Sequence, residues 1–75
     1  MNCTIHISDL DMARAFVATT AKYPDIKIML NCEEYSVDAH SIIGILSLDL
    51  SQPLTLCAEG GNLNGLIADL EPYTV

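Results

Sequence analysis

Seventy-five residues make one domain, and a domain of that size buries only about 60% of the surface its unfolded chain exposes, so the core must be thin. Ten acids set against Arg14, Lys22 and Lys27 leave a formal charge of −7, which repels phosphate backbones and excludes nucleic acid as an expected partner. A hydrophobic content of 51% argues against disorder, yet no apolar run is long enough to span a bilayer and no basic-flanked leader opens the chain, so the expectation is a cytoplasmic protein with no membrane partner.

The chain then reads in order. Asn2 to Ile7 alternates, with Cys3, Ile5 and Ile7 on one face, which predicts a half-buried strand. Ser8 or Asp9 can cap a helix whose apolar positions Leu10, Ala13, Phe16, Val17 and Ala21 recur three or four residues apart, and Pro24 stops it after Lys22. Asp25 to Leu30 alternates again with Ile26, Ile28 and Leu30 inward. Asn31 to Glu34 supplies a turn before a short strand, Tyr35 to Asp38, so these two strands form a hairpin.

Ser41 precedes Ile42, Ile43, Ile45, Leu46 and Leu48, the pattern of an N-cap followed by a buried helical face. Gly44 costs about 1 kcal/mol relative to Ala inside a helix, which predicts a short element held by packing. Ile45, Leu48 and part of Ile42 are expected to face the core, leaving Ile43 and Leu46 partly exposed. Asp49 to Pro53 connects to a strand, Leu54 to Ala58. Glu59 to Asn62 makes a turn, Asn62 caps a last helix carrying Leu63, Leu66, Ile67 and Leu70 on one stripe, and Pro72 ends it.

The element order is βαββαβα, an α+β domain with a four-stranded sheet, antiparallel or mixed, and its helices together on one face. Cys3, Cys32 and Cys57 are odd in number and match no metal-ligand spacing, so they are expected to be reduced apolar fillers; neither metal nor cofactor is implied. No Ser-His-Asp or Cys-His set and no phosphate-cradling Gly loop is recognisable, and an enzyme is not expected.

Ala39, Ser41 and the run Ile42-Ile43-x-Ile45-Leu46-x-Leu48-x-Leu50 resemble the second-helix region of the histidine-containing phosphocarrier proteins (HPr) of the bacterial sugar phosphotransferase system. Leu54-Thr55-Leu56-Cys57-Ala58-Glu59-Gly60 and the helical run from Leu63 to Leu70 look like that family's last strand, turn and final helix. The likeness covers the second half well and the first half in element order. It implies an open-faced β-sandwich with a four-stranded antiparallel sheet and three helices on one face.

The same resemblance exposes a loss. The family carries phosphate on a histidine at the start of the first helix, within Gly-hydrophobic-His-x-Arg-Pro-Ala. Here the segment is Ser8-Asp9-Leu10-Asp11-Met12-Ala13-Arg14-Ala15. Matching Phe16-Val17 to the family pair puts Asp9 at the histidine position, and a shifted match puts Asp11 there. Acyl phosphates elsewhere depend on a metal held by neighbouring carboxylates and on a cation that neutralises the product, whereas side chains two apart on a helix do not face each other. Asp9, Asp11 and Arg14 thus read as a degenerate carrier site, its acids complementing the helix dipole. His6 falls on the outward phase of the first strand. His40, at the mouth of the second helix, could contact a phosphate there.

In Gram-positive relatives the serine matching Ser41 is phosphorylated by a dedicated kinase and the product docks on a transcription regulator; a variant lacking the carrier histidine keeps only that role. The resemblance therefore implies a non-catalytic regulatory or adaptor protein with Ser41 as phosphorylation site and His40, Ile42, Ile43 and Leu46 as the patch that docks a protein partner or a second copy in a homodimer. Two other readings stay open: a phosphocarrier with an unconventional acceptor, Asp9, Asp11 or His40, and a divergent interaction module unrelated to sugar transport.

Overall fold

A computed structural model describes residues 1–74. Among them are four strands, three α-helices and one 3-10 turn: β1 (Asn2–Ile5), α1 (Leu10–Thr20), β2 (Lys27–Cys32), β3 (Tyr35–Asp38), α2 (Ile42–Leu46), β4 (Leu54–Glu59), α3 (Asn64–Leu70) and the turn Glu71–Tyr73. The strands form one sheet in the order β1-β4-β2-β3, antiparallel throughout, so the sheet is not mixed. Strict alternation places Ile5, Ile28, Leu30, Leu54, Leu56 and Ala58 on its buried face, where they meet Phe16 of α1, Ile45 of α2, and Leu66 and Leu70 of α3. This is the expected open-faced sandwich, α+β with three helices covering one side.

Local chemistry sets the helix starts. Asp9, in extended conformation, accepts the Met12 N–H at 2.8 Å and caps α1. Ser41 does the same for α2, accepting the Gly44 N–H at 3.1 Å. A Cβ on Gly44 would sit 3.3 Å from the Val37 Cβ, so the bare glycine lets this five-residue helix close down on β3.

Several expectations need correction. β1 ends at Ile5 rather than Ile7, because from His6 onward the chain turns to the tail: the His6 N–H donates to the Tyr73 carbonyl at 2.8 Å, and Ile5 bridges to Thr74. Pro72 does not end the helical stretch; it lies in the 3-10 turn, whose first residues need no N–H. That turn buries Tyr73 against Phe16, edge to face, with ring centroids 5.4 Å apart. β2 starts at Lys27 and runs through Cys32, so the hairpin turn is only Glu33-Glu34, Glu33 taking a positive φ of 55°. Asn62 accepts the Asn64 N–H and closes the turn ahead of α3, whereas the cap position itself is Leu63. Ile67 is 49% exposed, since seven residues offer the core only a narrow stripe.

In α1 the buried residue of the last turn is Thr20, not Ala21. Its hydroxyl donates to the Val17 carbonyl and, across the core, to the Ala39 carbonyl, each at 3.0 Å. Thr20→Val keeps the volume and strips the donor from a buried carbonyl, so a loss of about 1–3 kcal/mol is expected in urea denaturation.

Candidate functional site

The chemistry-bearing residues gather at two places. The first is the start of α1. Asp9 spends its carboxylate on the helix cap, and Ser8, Asp9 and Asp11 are all exposed. The Ser8 hydroxyl donates to the Met12 sulfur. Among the described residues no cluster of three His, Cys, Asp or Glu side chains comes together, and Arg14 joins no ion pair.

The second place is the β3–α2 junction. The Thr20–Ala39 bond ties it to the C-terminal end of α1, so Asp9 lies at the other end of that helix, about 16 Å of backbone away. Asp9 and Ser41 therefore do not combine into one polar site.

Asp38 closes an Asx turn at the junction: its Oδ1 accepts the His40 N–H at 2.8 Å and lies 3.0 Å from His40 Nδ1. His40 Nε2 lies 3.4 Å from the Tyr23 carbonyl oxygen. Both ring nitrogens thus face acceptors of the protein itself, and neither is presented as an open nucleophile or phosphate ligand. The sequence singled out His40 and missed Asp38, although an Asp two residues ahead of a helix-mouth His is the spacing of such a turn.

The bonds from His40, its backbone N–H first and its ring second, hold the Asp38 carboxyl below its ordinary range. A carboxyl depressed in the folded state stabilises the fold above its unfolded value, and that contribution disappears as the pH falls through the folded value. The stability margin of the wild type over Asp38→Asn is expected to be complete at neutral pH and to shrink as acid protonates the folded-state carboxyl, which denaturation midpoints measured from neutral to acid pH would show.

Beyond the junction, the Ser41 side chain stands at the surface while α2 divides its apolar residues. Ile45 is fully buried, Ile42 is half-buried, and Ile43 and Leu46 are 80% and 44% exposed. A five-residue helix resting on a sheet can sink only one edge. The opposite edge presents two large aliphatic side chains, Ile43 and Leu46, next to an exposed hydroxyl, an arrangement suited to recognition.

No family model matches the sequence, and no curated protein does. Among solved structures the chain is similar to the crystal structure of HPr-C-His from Thermoanaerobacter tengcongensis, with 32% sequence identity and a TM-score of 0.79 over 93% of this chain and 85% of that one.

Proposed function

The chain belongs to the HPr family, and we propose that within it this protein is a non-catalytic regulatory adaptor, related to the phosphoenolpyruvate-dependent sugar relay, that docks a protein partner through α2 in the cytoplasm. The observation that carries this reading is the 80% exposure of Ile43 on a helix whose Ile45 is fully buried. An aliphatic side chain that size contributes nothing to the fold where it stands, and covering it with a partner removes apolar surface from water. The residues at the family's carrier position support the same reading: Asp9 is committed to capping α1. Ser41 is the regulatory position, its hydroxyl at the surface beside the docking edge, where a phosphate adds about two negative charges and three strong acceptors to the contact.

Two incubations test this. With phosphoenolpyruvate and the relay's first enzyme, no label should transfer. With the serine kinase and ATP, phosphate should appear on Ser41 and be absent from Ser41→Ala. Acid-labile, hydroxylamine-sensitive label at Asp9 or Asp11, or phosphohistidine at His40, would make the protein a carrier after all. A protein inert to the kinase has no regulatory serine.

A further inference from the structure

The docking edge of α2 lies in a half of the chain that is devoid of positive charge. From Ile28 onward the sequence contains no Lys or Arg, and every charged residue is acidic. Asp38 and Asp49, both exposed, flank α2 three residues before Ser41 and three after Leu46. Asp49 accepts from the Ser51 hydroxyl and N–H, and Asp38 from His40, so both carboxylates stay ionised at neutral pH.

The three cations do little to offset this. Lys22 lies 3.8 Å from Asp69. Lys27 sits on the open sheet face, paired in register with Glu59. Arg14 shares its helix surface with Asp11, three residues before it.

Resting on the reading of α2 as a docking face, we propose that its occupant is a protein surface whose aliphatic contact residues are ringed by Lys and Arg. Two considerations select it. A second copy, itself of net charge −7, would set its own Asp38 and Asp49 beside these, and like charges set opposite each other oppose association. A basic rim around an apolar centre instead matches what α2 offers: aliphatic groups in the middle, carboxylates at both ends, and a serine whose phosphorylation deepens the same sign of charge. Attraction of that kind acts chiefly on the rate of encounter and weakens with salt.

The test uses two synthetic amphipathic helical peptides with the same Leu/Ile face, one rimmed with Lys and the other with Glu, titrated into the isotope-labelled full chain and followed by amide shifts. The Lys-rimmed peptide is expected to shift the amides of Ser41 to Leu46, to bind at least about tenfold more weakly when salt is raised to molar strength, and to lose its localisation on α2 in Ile43→Ser. Asp38→Asn with Asp49→Asn should weaken it several-fold without unfolding the protein, while the Glu-rimmed peptide should not bind. Equal binding of both peptides at α2 would overturn the charge requirement and leave the docking face standing. If neither peptide shifts α2, or the Lys-rimmed one binds Ile43→Ser equally well elsewhere, the docking face falls too.

Discussion

Phe16→Ala is expected to cost about 3–5 kcal/mol, the range for emptying a buried phenyl site in a core that cannot collapse around it. Phe16 is the chain's only Phe and is wholly buried. It joins α1 to the tail through the edge-on contact with Tyr73, and Tyr73 in turn holds the outer end of β1 through its carbonyl. One truncation therefore opens a cavity and loosens the segment that covers the sheet edge. A domain of this length has about 4–11 kcal/mol of total stability, so the variant should lose a large share of it, with a lower urea midpoint and reduced amide protection at His6 and Thr74. A loss under about 1 kcal/mol would show that the core does not hinge on this ring.

The second large effect is a contrast between neighbours on α2. Ile43→Glu replaces a side chain already in water and should leave stability within about 0.5 kcal/mol of the wild type. Ile45→Glu places a carboxylate in a fully buried site with no counter-charge, and the domain should not fold at neutral pH. Binding is expected to follow the opposite pattern: Ile43→Glu folds and loses its partner, because it puts negative charge and water where the aliphatic contact belongs. Thermal melts with a partner-binding assay separate the two. An unfolded Ile43→Glu would mean that the outer edge of α2 belongs to the core.

Much of this was legible in the sequence because its signals are local. Asp9 and Ser41 each stand one residue ahead of an apolar helical run, and both are caps. The alternation of Ile26, Ile28 and Leu30 put the right side chains of β2 inward, since side-chain direction in a strand has a period of two. The division of α2 into Ile45 inside and Ile43 outside followed from how little of a short helix a sheet can cover.

What escaped depends on partners far along the chain. Thr20 outcompetes Ala21 for the interior because its hydroxyl finds the Ala39 carbonyl, 19 residues away. The tail's role at β1 comes from Tyr73 and Thr74, a distance no periodicity spans. His40 looked available for phosphate because its partner on one side is the Tyr23 carbonyl, placed there only by the folding of α1. Alternation also fixes a strand's two faces without fixing its neighbours, so the order β1-β4-β2-β3 emerged only from the assembled sheet.

The most direct measurement is site-resolved mass spectrometry of the protein isolated, cold and at neutral pH, from the cells that make it, with hydroxylamine trapping of any acyl phosphate. Phosphate is expected on Ser41 and on no other residue. Phosphate on Asp9, Asp11 or His40, with Ser41 unmodified, would contradict it and return the chain to the carriers.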